Sequence, residues 1–185
     1  MVLFEYLGAI TGVVGIWLTM RQLIWCFPVG LLSVSISCYV FFHAKLYADA
    51  LQQVVFASLL VLGWIRWSDA GFKLHHVTTL KAQSRLLWLC TTLATGIALG
   101  YTLDNYTDAH YPYVDSILTA LCFLAQYMIA QRKIENWWLW IFTNTAYILV
   151  YIKKDLEPYA GLYFIYLVMA FIGLREWHRK MKIVN

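Results

Sequence analysis

The sequence predicts an all-α membrane protein of seven transmembrane helices. Composition is the first reason: 62% of the residues are hydrophobic and 13% charged, with a mean hydropathy of +0.63. A soluble domain averages about 45–50% apolar and about 25% charged. The second reason is spacing. Apolar residues gather in seven runs, about 2–20, 24–43, 47–67, 86–103, 113–130, 136–152 and 158–175, close to the roughly 17–25 residues with which a helix crosses a bilayer. Third, the loops are short apart from two polar segments, Ser68–Arg85 and Leu103–Pro112, so residues 1–185 read as one membrane domain.

In chain order, the first run opens MVLFEYLG without a basic leader and is long enough to be kept as a span. The second carries Ser33, Ser35 and Ser37. The third carries Gln52 and Gln53 on neighbouring faces about two turns in, and one of them should point inward. Gln126 sits in the middle of the fifth.

The sixth run is the most informative. From Asn136 to Ile152 it carries no charge, and Trp137, Trp140, Asn144, Tyr147 and Tyr151 fall three and four apart on one helical face. An amide in hydrocarbon must find a partner or cost several kcal/mol, so this stripe should face protein or a cavity. Trp137, Trp138 and Tyr151 stand near the ends, where an interfacial belt is the competing role. Trp140, Asn144 and Tyr147 sit deeper and are expected to line a site. In the seventh run Tyr159, Tyr163 and Tyr166 make a similar stripe.

Seven spans put the termini on opposite sides. Lys45, Lys153 and Lys154 fall on the N-terminal side, against eleven Lys and Arg on the other: Arg21, Arg66, Lys73, Lys81, Arg85, Arg132, Lys133, Arg175, Arg179, Lys180 and Lys182. The positive-inside rule then places the N-terminus outside and the C-terminus in the cytoplasm. Seven of the ten acids, Glu5, Asp49, Asp104, Asp108, Asp115, Asp155 and Glu157, fall on the outer side. They would attract a cation to the mouth, although the depletion of outer bases leaves acids there by default. The net charge of +4 is thus sorted between two membrane faces and gives no reason to expect nucleic acid.

A weak internal repeat is visible. At an offset of 110 Glu5 meets Asp115, Gly63 meets Gly173 and Trp67 meets Trp177; at 112 Trp25 meets Trp137, Ser33 meets Thr145 and Tyr39 meets Tyr151. The implied units are 1–67 and 113–177, with 86–103 as a connector, and such parallel repeats hold a substrate site between them near the midplane.

Catalytic motifs are absent: no Walker loop, no H-E-x-x-H, no G-x-S-x-G and no dinucleotide fingerprint. His43, His75, His76, His110 and His178 read as surface residues. Cys26, Cys38, Cys90 and Cys122 lie in apolar runs without a C-x-x-C pair and read as small hydrophobes. No metal, cofactor or enzymatic role is expected. Gln53, Gln126, Trp137, Trp140, Asn144, Tyr147, Tyr163 and Tyr166 together would instead form a box of aromatic walls, amides and hydroxyls. Such a box suits a flat, cationic heteroaromatic ligand, at roughly 0.5–2 kcal/mol per ring.

The run Glu135–Asn136–Trp137–Trp138–Leu139–Trp140 with Asn144 resembles the W-x-x-W-x-x-x-N signature of the PnuC family of bacterial vitamin transporters. Leu46–Tyr47–Ala48, Gln53, Gly63–Trp64–Ile65–Arg66–Trp67 and Asp115–Ser116 resemble further segments of the same family, so the likeness covers nearly the whole chain. It implies a three-one-three arrangement similar to that of the SWEET sugar transporters. It also implies facilitated diffusion of an unphosphorylated vitamin across the bacterial inner membrane, with trapping by a cytoplasmic kinase. By that resemblance Trp137, Trp140 and Asn144 line the site with Gln53 opposite. Trimers occur among members, which makes a homotrimer one partner arrangement it implies.

Thiamine and nicotinamide riboside both fit a cation with an aromatic ring. The chain departs from longer nicotinamide riboside members: it lacks an extra N-terminal segment, has Ser33 where some carry Asn and Leu162 where some carry an acid, and adds Trp138, Tyr147 and Tyr151. The added rings weigh towards thiamine, which brings a second ring to stack. Two rivals from other classes are a membrane enzyme acting on a lipid, which would need an acid or histidine pair at interface depth, and a structural protein whose aromatic stripe only packs helices.

Overall fold

The computed structural model describes residues 2–69, 76–106, 111–153 and 155–183, with the side chains of Val2, Glu5, Lys182 and Ile183 outside that description. Lys73, His75, Asp108, His110 and Lys154, used in the charge and histidine readings above, lie outside it too. Seven helices follow: α1 Val2–Arg21, α2 Cys26–His43, α3 Tyr47–Ser68, α4 Ala82–Tyr106, α5 Pro112–Ala130, α6 Glu135–Lys153 and α7 Glu157–Ile183. Five of them (α2, α3, α4, α5 and α7) are long and apolar enough to cross a membrane. The apolar part of α1, Tyr6–Arg21, is shorter. In α6 the tryptophans, tyrosines and Asn144 dilute the aliphatic content.

Two predicted elements are longer than expected. Helix α4 extends the 86–103 run at both ends. Helix α7 continues past 175 because its charged end has partners. The Trp177 ring is fully buried and donates its indole N–H to the Thr19 carbonyl at 3.1 Å, and Lys180 Nζ donates to the Arg21 carbonyl at 2.7 Å. The Thr19 carbonyl thus gains a second donor beside the Gln22 N–H, and the Arg21 carbonyl, orphaned by the end of α1, is satisfied.

Six helices close a ring in which each packs on the next, in the order α1, α2, α3, α5, α6, α7 and back to α1; α4 lies outside it, packed on α5, with Arg85 at its start reaching Glu135 of α6. The α4–α5 contact is close because Gly96 and Gly100 lack side chains. A Cβ at either would come within 2.8 Å of Ile117 or Tyr113.

The short turns repeat at one spacing. Gln22, Lys45, Arg132 and Asp155 adopt positive φ of 61°, 61°, 53° and 55°, as two pairs 110 residues apart. Each ends a helix with a bond from the residue that follows it to a carbonyl five residues back: Leu23 to Leu18, Leu46 to Phe41, Lys133 to Met128 and Leu156 to Tyr151, at 2.9–3.0 Å. This is the Schellman cap, here built without glycine.

The aromatic core follows the same spacing. Phe27 lies over Gly63 and meets Trp67 edge-on at 5.0 Å and 86°; Trp137 lies over Gly173 and meets Trp177 edge-on at 5.6 Å and 86°. Trp67 and Trp177 sit 6.4 Å apart. The counterpart of Trp137 is thus Phe27, not Trp25. Trp25 is 66% exposed while Trp137 is 1% exposed, so the matches at 112 do not survive in the packing.

The polar segment before α4 is not all loop. Thr78 N–H donates to the Arg132 carbonyl and Ile134 N–H to the Thr78 carbonyl, both at 3.1 Å, while Val77 is buried. Glu135 Oε1 accepts the Leu80 N–H at 2.8 Å and pairs with Arg85 Nε at 3.0 Å.

Candidate functional site

The ring encloses a cavity of about 280 Å³. All eight residues singled out from the sequence line it: Gln53 on α3, Gln126 on α5, Trp137, Trp140, Asn144 and Tyr147 on α6, and Tyr163 and Tyr166 on α7. The three- and four-residue steps on α6 bring four of them to one side, as a helical face requires. Ser33 and both Gln52 and Gln53 also line the cavity, whereas Ser35 is exposed. Trp138 is 59% exposed and points away from the cavity.

Many lining residues come in pairs 110 apart: Gly12 with Cys122, Ile16 with Gln126, Gly30 with Trp140, Val34 with Asn144, and Phe56 with Tyr166. The pairs are chemically lopsided. Helices α1 to α3 mostly contribute space or aliphatic wall at these positions, and α5 to α7 contribute amides, indole and phenol. A ligand therefore meets hydrogen-bonding groups chiefly on one side, with Gln52, Gln53 and Ser33 completing the other.

Gly12 was not anticipated, and its role is steric. A Cβ there would stand 3.0 Å from the Tyr166 hydroxyl and 3.3 Å from Ser33 Oγ, which itself donates to the Gly8 carbonyl at 2.9 Å. Phe27 and Cys122 were also missed. Phe27 could have been found by carrying the 110 spacing from Gly63 and Trp67 back into the second span.

A chain of phenol rings runs from the cavity towards the start of α7. Tyr166 neighbours Tyr163 at 5.7 Å, Tyr163 neighbours Tyr147 at 4.9 Å and Tyr151 at 5.2 Å, and Tyr151 stacks on Tyr159 at 5.5 Å. At the other end Arg132 lies over the Trp67 ring at 4.5 Å from its centroid. Burial lowers its pKa from the ordinary value, yet a guanidinium remains charged at neutral pH.

Among the described residues the lining contains no Asp, Glu, Lys, Arg or His. Aromatic faces attract a diffuse cation through their quadrupole, and the amides can serve sugar hydroxyls or a carboxamide. A phosphate would find no counter-charge. His43, His76 and His178 are exposed, the four cysteines are free, and no group of acids, histidines and cysteines able to hold a metal occurs among the described residues.

A helical membrane protein whose helices form a ring around a small-molecule cavity has the form of a small-solute transporter. The sequence model of the family described as nicotinamide mononucleotide transporter matches residues 2–179, and the chain belongs to that family, the PnuC family of the resemblance above. It is similar to the nicotinamide riboside transporter PnuC of Escherichia coli K12, 24% identical over 203 residues, covering 94% of this chain and 84% of that one. It is similar to the PnuC of Neisseria mucosa at 23% over 95% of this chain and 72% of that one. The riboflavin/roseoflavin transporter RibM of Streptomyces davaonensis is 21% identical over 94% and 83%. The fold matches the crystal structure of the vitamin B3 transporter PnuC with a TM-score of 0.80, at 21% identity over 98% of this chain and 83% of that chain.

These relatives do not support the lean towards thiamine. Its physical basis is weakened as well, since Trp138 and Tyr151 do not line the cavity and of the added rings only Tyr147 does.

Proposed function

We propose that the chain carries nicotinamide riboside across the bacterial inner membrane by facilitated diffusion. The observation that carries this reading is the uncharged aromatic and amide lining of the cavity. It suits a pyridinium ring, a carboxamide and a ribose, and it disfavours a phosphate dianion, whose burial without a partner is very costly. The two PnuC relatives are named for nicotinamide riboside, which supports the same substrate. A cavity without a carboxylate also fits uncoupled transport, with accumulation driven by a cytoplasmic kinase that phosphorylates the riboside.

In the mechanism we propose, helices α1–α3 and α5–α7 form two parallel three-helix units joined by α4, as in the SWEET arrangement, and rock about the fixed site. The paired turns and paired lining residues support that division. The charge bias supports an N-terminus outside and a cytoplasmic C-terminus, which puts the tyrosine chain at the outer mouth and Arg132 at the inner end. A homotrimer is compatible with the outward faces of the helices.

Titration calorimetry on the purified protein tests the substrate. Nicotinamide riboside is expected to bind at least about a hundredfold, roughly 2.7 kcal/mol, tighter than its 5′-phosphate, and tighter than thiamine. Equal binding of the phosphate ester would refute the argument from the uncharged lining, and tighter binding of thiamine would refute the substrate.

A further inference from the structure

A second cavity of about 480 Å³ lies outside the ring, between the start of α4 and the neighbouring ends of α6 and α7. Its polar lining is Thr79, Arg85, Glu135, Arg175 and His178, and its apolar lining includes Trp138, Phe171 and Leu174. We infer that it holds the headgroup of a zwitterionic phospholipid, with phosphate at Arg175 and His178 and the ammonium at Glu135.

The argument rests on the two signs of charge. Arg85 is committed to Glu135 Oε1, 3.0 Å away, and the same oxygen accepts the Leu80 N–H. The second oxygen, Oε2, is buried and has no hydrogen-bond partner among the described residues. A buried carboxylate oxygen without a donor is costly, and a primary ammonium in the cavity would supply one once a small rotation of the carboxylate turns that oxygen towards it. Arg175, an exposed residue, and His178 stand in the same lining, and among the described residues neither forms an ion pair with an acid. A headgroup carrying phosphate and ammonium together satisfies both sets, and a singly charged anion satisfies only one.

The position favours a lipid as the source of that headgroup. Trp138 and Phe171 are 59% and 53% exposed on the outside of the bundle, where the bilayer lies. Along α7, Phe164, Val168, Phe171 and Arg175 follow at steps of four, three and four, which keeps them on one face. Three exposed apolar residues thus lead to a cation, the order in which an acyl chain leads to a phosphate. An indole at that depth is also the usual marker of the headgroup level.

Native mass spectrometry of the full chain in detergent tests this, with phosphatidylethanolamine, phosphatidylglycerol or diacylglycerol added at matched concentration. Phosphatidylethanolamine is expected to be retained roughly tenfold over phosphatidylglycerol, the factor given by about 1.4 kcal/mol from one further charge-assisted bond. Glu135→Gln should bring the two lipids level, and Arg175→Gln should lower both towards diacylglycerol. Glu135→Gln also breaks the Arg85 pair, so Arg175→Gln carries the test alone if the first variant fails to fold. Ligand binding in the central cavity serves as the check on folding. Equal retention of the two phospholipids by the unaltered chain, or retention unchanged in Arg175→Gln, overturns the inference. Soluble phosphoethanolamine competing as strongly as the lipid would assign the pocket to a free phosphate ester and overturn it as well.

Discussion

A methyl group added at Gly173 tests the aromatic core and its link to the site in one substitution. The Cβ would stand 2.4, 2.5 and 2.6 Å from Cη2, Cζ3 and Cζ2 of Trp137, where ordinary contact begins near 3.4 Å. The indole must therefore retreat by about an ångström in a site where it is 1% exposed. Overpacking of that kind costs about 1–3 kcal/mol, and disturbing the edge-on contact with Trp177 adds about 0.5–1.5 kcal/mol. The control lies on the same helix: Gly161 has nothing within 4 Å of its virtual Cβ. Gly161→Ala should gain the helix propensity of alanine, about 0.8–1 kcal/mol, and Gly173→Ala gains the same before paying for the clash. The difference between the variants is then of order 3 kcal/mol, or roughly 6–12 °C in melting midpoint at the sensitivity of a chain this size. Thermal melting of both proteins in one detergent reads it directly. Trp137 lines the cavity, so Gly173→Ala should also weaken ligand binding where Gly161→Ala does not. Equal midpoints for the two would refute the packing of Trp137 over Gly173.

Other expectations follow from the lining. Asn144→Ala, which removes a buried amide, should weaken nicotinamide riboside by about 1–3 kcal/mol, roughly fivefold to over a hundredfold by calorimetry. Trp140→Ala should cost about 0.5–2 kcal/mol of binding through its ring face, while Trp138→Ala leaves the isotherm unchanged; a loss in Trp138→Ala would put that ring back in the site. Gly12→Ala should push the Tyr166 hydroxyl aside and reduce affinity with little change in melting, because the displaced group is a side-chain tip. Uptake of radiolabelled riboside into proteoliposomes should saturate and be insensitive to a protonophore, and stimulation by an imposed proton gradient would contradict an uncoupled carrier.

Much of the site was legible because it sits on one helix. The steps from Trp137 to Tyr147 follow helical geometry, and polar rings at membrane depth have few other uses, so α6 disclosed its inward face without help from its neighbours. Trp138 was harder. Adjacent to Trp137 and equally aromatic, it differs only in pointing outward, and one residue of rotation is invisible to composition. Gly12 and Gly30 were hidden for the opposite reason: they matter through absent volume, which only the facing Tyr166 or Leu60 reveals. The repeat was half visible. Gly63, Gly173, Trp67 and Trp177 carried the true spacing, but abundant tryptophan offered Trp25 as a false partner for Trp137, and a phenylalanine at position 27 broke the identity match. The apolar run of the last span stops near 175, but the helix continues because Trp177 and Lys180 fasten that end to α1.

That fastening bears on how the chain is made. Among the described residues everything from Val77 to the end of α4 packs against the second set of helices: Thr78 on Arg132, Leu80 and Arg85 on Glu135, and α4 on α5. The first three helices can be inserted as they leave the ribosome, but their seam with α7 has no occupant until α7 itself is translated. The bonds that seal it join residues 158 and 159 positions apart, Trp177 to Thr19 and Lys180 to Arg21. Translation of α7 is therefore the step that lets the ring of helices close.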